Sequence, residues 1–194
     1  MPKLTQDKLL TLEAYHKARP EMRQKAIETR RIRSVFLGEH LNLIFENEFL
    51  MQYQIQEILR VEKTFTEEGI LDELDAYNPL IPDGSNFKVT MKLEYPNEAD
   101  RKIALSKLVN IENRMFIQVE GQPRVYAIAD EDLERSTDTK TYAVHFLRYE
   151  LTEDMKKSLK AGAQMMVGCD HPEYPMHVET LPSETLASLL TDLS

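Results

Sequence analysis

Polar residues interrupt an apolar stripe in the segment from Glu48 to Phe65. At about 100° per residue, Met51, Ile55, Ile58, Val61 and Phe65 share one arc of a helix. Gln54 and Glu62 fall inside that arc, and Glu57 and Arg60 lie nearby on the same helix. A carboxylate facing a core is costly unless it is paired. Glu62 therefore needs a cation, a donor network or a metal ion. Three readings stay open: a buried polar site for a small ligand or metal, a two-sided helix, or an internal ion pair with an arginine from the N-terminal segment.

The same patterning predicts the other elements. Thr5 is placed to cap a helix through Arg19, and Pro20 suits the first turn of a second helix reaching Arg31. The runs Ile32–Leu37 and Leu41–Phe45 flank Gly38 and predict a hairpin. A shorter helix is expected over Glu67–Ala76. Two prolines and Asp83-Gly84 then stop regular structure between Tyr77 and Asn86. Phe87, Val89, Met91, Leu93 and Tyr95 alternate with polar residues, as in a half-buried strand.

Further helices are expected over Glu98–Val109, from the Thr152 cap to Gly162, and from Ser183 to Leu193. Strands are expected at Met115–Val119, Arg124–Ala129, Tyr142–Leu151 and Ala163–Gly168. The fold class that follows is α+β: a mixed, mostly antiparallel sheet with helices packed on one face and an N-terminal helical pair. The second half reads β-α-β-β-β-α-β, which contains the ferredoxin-like β-α-β-β-α-β alternation. Residues 1–194 are expected to form a single domain, with a helical and hairpin part over 1–76 and a sheet part over 86–194.

Composition narrows the functional classes. The chain of 194 residues is 42% hydrophobic and 29% charged, and no apolar run reaches membrane-spanning length. The start lacks a secretory pattern, so a cytoplasmic protein with no membrane partner is expected. The single cysteine, Cys169, excludes an internal disulfide and a protein-only cysteine cluster. The net charge is −9, yet residues 1–33 hold nine Lys/Arg against four acids, a net of +5 that leaves −14 for the rest. That basic segment would neutralise the acidic body of its own fold or of a second copy, the basis for expecting a homodimer. Nucleic acid is the less favoured partner, because the remainder is too acidic for a broad footprint.

Three further segments carry candidate chemistry. His145 shares a strand face with Ala143, Leu147, Tyr149 and Leu151, and is either a hydrogen-bonded core residue or a ligand. Asp170 and His171 follow a predicted strand end, where they would form an acid/base couple or two metal ligands, or simply an Asx-type turn before Pro172. The acidic run from Asp130 to Glu134 lacks the ordering of a calcium loop. Phosphate-binding glycine loops, Gly-x-Ser-x-Gly and His-Glu-x-x-His are all absent from the sequence.

Long motifs resemble one bacterial family. They are MQYQIQEILRVE from Met51, ELDAYNPLIPDGSN from Glu73, VYAIADEDLE from Val125, VHFLRYEL from Val144, and the GxDHPxY pattern from Gly168 to Tyr174. Together with the length, they resemble the family known as domain of unknown function 3501. Cys169 occupies a variable position of the last motif. The resemblance implies a setting in redox or peroxide handling, with a rubrerythrin-like di-iron protein and an iron–sulfur oxidoreductase as partners.

Three functions follow as expectations. The first is an accessory binding protein for that redox system, with Gln54, Glu57, Arg60, Glu62, Tyr77, Asn78 and Asp83 as ligand-binding candidates. The second is a metal-dependent enzyme or metal-binding protein holding a single ion through Glu62, His145, Asp170 and His171. The third is an RNA-binding or regulatory module using the basic segment. The polar candidates are expected to converge on one pocket.

Overall fold

The structure, a computed structural model, describes residues 4–133 and 135–194. It begins with a 3-10 turn, Gln6–Lys8, after Thr5. One long helix then follows, α1 (Leu12–Arg33), with the Thr11 side chain accepting the Ala14 N–H. The expected helical pair is thus a single helix that runs through Pro20. An interior proline costs about 3 kcal/mol. Burial of Tyr15 and Ala26 in the helical core works against that cost.

A hairpin forms as expected, β1 (Ser34–Leu37) and β2 (Leu41–Phe45), with Gly38 at φ 67° in its turn. Next come α2 (Glu48–Glu62), capped by Asn47, and α3 (Glu67–Tyr77), capped by Thr66. Helix α2 ends at Lys63, whose φ of 54° is left-handed, so Phe65 lies outside it. The helix buries Leu50, Met51, Tyr53, Ile55, Gln56 and Leu59. Val61 and Phe65 are 64% and 73% exposed. The buried arc is therefore rotated from the expected one, and its fully buried polar member is Gln56 rather than Glu62.

The remaining elements are β3 (Asn86–Leu93), α4 (Glu98–Lys107), β4 (Met115–Val119), β5 (Arg124–Tyr126), β6 (Ile128–Ala129), β7 (Val144–Glu150), α5 (Glu153–Lys160), β8 (Met165–His171), β9 (Tyr174–Val178) and α6 (Ser183–Leu190). Their order follows the sequence pattern, except that the strand expected over Arg124–Ala129 is split into β5 and β6 and β9 is added. The class is α+β, and the strands divide into two sheets, β1-β2-β3-β7-β6 and β5-β4-β8-β9. Every ladder is antiparallel, and one isolated parallel bridge joins Gly84 to Leu193. The chain changes sheet at Ala127, whose N–H bonds Met115 O at 2.9 Å.

One core takes side chains from both sheets, including Leu43, Phe45, Met91, Leu147, Ile117 and Val167. A second lies among α1, α2 and α3. Arg33 ties them together. Its fully buried guanidinium donates to Phe45 O, Glu46 O, Ser188 O and Asp192. No described helix is long and apolar enough to cross a membrane.

Candidate functional site

Successive strand residues point to opposite faces. In the five-stranded sheet, Leu43, Phe45, Val89, Met91 and Leu147 join the core shared by the sheets. The registers place Ile44 beside Thr90 and Thr90 beside Phe146, with Asn42 beside Lys92 one rung away. These residues form the other face, where α1 and α2 approach.

A cavity of about 310 Å³ opens there, lined by Arg30, Glu46, Gln54, Tyr77, Thr90 and Lys92 over an apolar floor that includes Ile44, Met51 and Phe146. That volume is at the lower end for small-molecule sites. Glu46 is the acid of this lining. The residue is only 7% exposed. Oε1 accepts the Thr90 hydroxyl at 2.7 Å, while Oε2 is buried without a hydrogen-bond partner. The backbone is already satisfied: Glu46 N–H donates to Lys88 O, and Glu46 O accepts Arg33. Burial pushes the Glu46 carboxyl above its ordinary range, against the Thr90 bond and the nearby cations Arg30, Arg33 and Lys92. Perturbed titration in a concave site marks functional positions more often than chance.

Arg30 has one long contact, Nη2 to Gln54 Oε1 at 3.3 Å, and sits 5.9 Å from the centre of the Tyr53 ring. Neither Arg30 nor Lys92 makes an ion pair among the described residues. Their neighbours do: Arg19 pairs with Glu57, Arg31 with Glu28 and Glu184, and Arg33 with Asp192. Burial raises the pKa of the Tyr77 hydroxyl, with the Gln54 amide working against it.

Of the expected ligand-binding residues, then, Gln54 and Tyr77 share this cavity. Glu57 and Arg60 instead form a network outside its lining. Glu57 takes Arg19 in a bidentate pair at 2.7 and 3.0 Å, the Tyr15 hydroxyl at 2.5 Å and Arg60 at 3.3 Å. The Arg19 guanidinium holds the Glu57 carboxyl down at about 2. Glu62 is exposed. Asn78 bonds both backbone groups of Leu4, and Asp83 organises Ser85 and Asn86.

The four expected metal ligands are not brought together. His145 is fully buried on the core face of β7, the face opposite Phe146. Its Nδ1 donates to Asp130 Oδ2 at 2.6 Å, and its Nε2 lies 2.8 Å from the Thr141 hydroxyl and 3.0 Å from Tyr142 O. Glu112 Oε2 is 3.9 Å from Nε2, and Ser136 donates to Glu112 Oε1 at 2.6 Å. Among the described residues, Glu112, Asp130 and His145 are the group spaced to hold a metal ion. Direct hydrogen bonds already close that cluster.

Asp170 and His171 fall on β8, not on a loop, because Pro172-Glu173 make the turn into β9. Asp170 pairs with Arg114 at 3.1 Å and accepts the Tyr126 hydroxyl, while His171 Nε2 donates to Val109 O. Cys169 is buried beside them, its thiol pushed up to about 11 by desolvation.

The residues not singled out in the sequence are Glu46, Thr90, Lys92 and Phe146 for the cavity, and Glu112 for the His145 cluster; Arg30 stood out only as part of the basic N-terminal segment. For Thr90 and Lys92 the signal was the alternation Lys88, Thr90, Lys92, which reads as a solvent face until helices are known to cover it.

The family profile described as protein of unknown function (DUF3501) matches residues 3–193. The chain belongs to this family. It also matches a crystal structure described as a novel protein of unknown function from Burkholderia pseudomallei K96243. The two are 53% identical over the full length of both chains, with a TM-score of 0.94. No curated protein matches the chain.

Proposed function

We propose that this family member is a binding protein for a small anionic molecule, held between α1–α2 and the outer face of the five-stranded sheet. The observation that carries the reading is the pair Arg30 and Lys92, which line one cavity and make no direct ion pair among the described residues. Unpaired cations over partly desolvated, apolar surface favour a carboxylate or phosphate, and guanidinium is suited to either by its planar fork. Gln54, Tyr77 and Thr90 add polar groups that fix orientation.

The redox setting implied by the family resemblance belongs to the same proposal. A ligand-holding accessory protein would serve the rubrerythrin-like and iron–sulfur oxidoreductase partners without a thiol step of its own. The buried Cys169, with its raised pKa, is consistent with that role.

The test is mass spectrometry of small molecules released on denaturing natively purified protein, beside the Arg30→Ala variant. An anionic compound retained by the wild type and lost from the variant supports the reading. Equal recovery from both counts against it.

A further inference from the structure

Resting on the anion-binding reading, we infer that the ligand is a small zwitterion, with an ammonium group at Glu46 and a carboxylate or phosphate at Arg30 and Lys92. Glu46 Oε2 is a buried acceptor with no partner in a protein that satisfies the other Glu46 groups. An unsatisfied buried acceptor is costly, and a ligand donor that reaches it removes that cost.

The sheet sets the poles apart. Glu46 N–H bonds Lys88 O, so Glu46 sits at the Lys88 rung, while Lys92 is four residues further along β3. At about 3.4 Å per residue these rungs are roughly 14 Å apart. Long side chains shorten the gap that a ligand spans. Thr90 lies between them and anchors Oε1, which leaves Oε2 as the available oxygen. At about 30 Å³ per water, the cavity takes a molecule of about ten non-hydrogen atoms. Tyr77 and Phe146 contribute aromatic rings to the lining, surfaces that favour an ammonium group over a neutral donor.

Burial holds the empty site's carboxyl above its ordinary range, and an ammonium at Oε2 would lower it.

The experiment is calorimetric titration of the full chain with β-alanine, γ-aminobutyrate, 5-aminovalerate and phosphoethanolamine. Their N-acetyl and hydroxy counterparts are titrated alongside. The expected result is at least a tenfold preference for one amine form, collapsing in Glu46→Gln, with all binding lost in Arg30→Ala. A wild type that binds the N-acetyl or hydroxy forms as tightly, or a preference unchanged in Glu46→Gln, overturns the zwitterion and leaves the anion pocket standing. No binding by either set overturns the zwitterion, and Arg30-dependent recovery of a native anion would then separate the two readings.

Discussion

Thr90 donates to Glu46 Oε1 at 2.7 Å across neighbouring strands, and the second carboxylate oxygen is left buried and unpaired. The molecule carries a cost at this point in exchange for a prepared acceptor.

Glu46→Gln should therefore stabilise the empty protein at neutral pH by about 1 kcal/mol, the scale on which functional strain is relieved. The pH dependence has a definite sign. Burial raises the folded pKa above the ordinary 4.5. Below pH 4.5 both folded and unfolded forms hold the proton, and the wild type bears no ionisation cost. As pH rises above that value the unfolded form loses its proton first, so the wild type falls behind the variant. Chemical denaturation across that window measures the difference.

Glu57 behaves in the opposite way. Its carboxyl is held at about 2 by Arg19, so its contribution is present above pH 4.5 and is lost as pH falls toward 2. Glu57→Ala should cost about 1–3 kcal/mol at pH 7 and converge with the wild type near pH 2. Paired denaturation curves at the two pH values check this.

His145→Ala should lower stability by about 2–5 kcal/mol, because it opens a cavity and strands the Asp130 and Thr141 bonds. At 2.6 Å, the Nδ1–Asp130 contact leaves no room for an ion between them. A chelator should therefore leave the melting temperature of the wild type unchanged. A fall on chelation, absent in the variant, would place a metal at Glu112, Asp130 and His145.

Arg33→Ala should cost about 3–5 kcal/mol, the scale for breaking a buried charge pair by removing one partner. The loss would also free Phe45 O and Glu46 O and loosen α6 from the end of β2, since Arg33 holds both. Faster amide exchange at residues 45–46 and 188–192, beyond that of the rest of the core, is the signature.

Much of the fold was legible because local rules and tertiary packing agreed. Asn47, Thr66, Asn97 and Thr152 each cap a helix, and the Phe87–Leu93 alternation marks β3. Pro20 misled because packing of α1 overrides a local breaker. Glu62 misled because α2 stops at Lys63 and its buried arc is rotated, so that Gln56 takes the interior place and bonds both backbone groups of Leu10. The site was only partly readable. Gln54 and Tyr77 stood out, whereas Glu46 and Arg30 meet only through strand pairing and helix packing across the chain.

The central claim is that the Arg30–Lys92 cavity binds a small anion. It is tested most directly by following backbone amide shifts of the isotope-labelled protein during titration with inorganic phosphate and γ-hydroxybutyrate, anions that carry no ammonium group. The account predicts saturable shifts concentrated at residues 44–46, 54, 77 and 90–92. Absence of shifts there, or shifts confined to the four-stranded sheet, would contradict it.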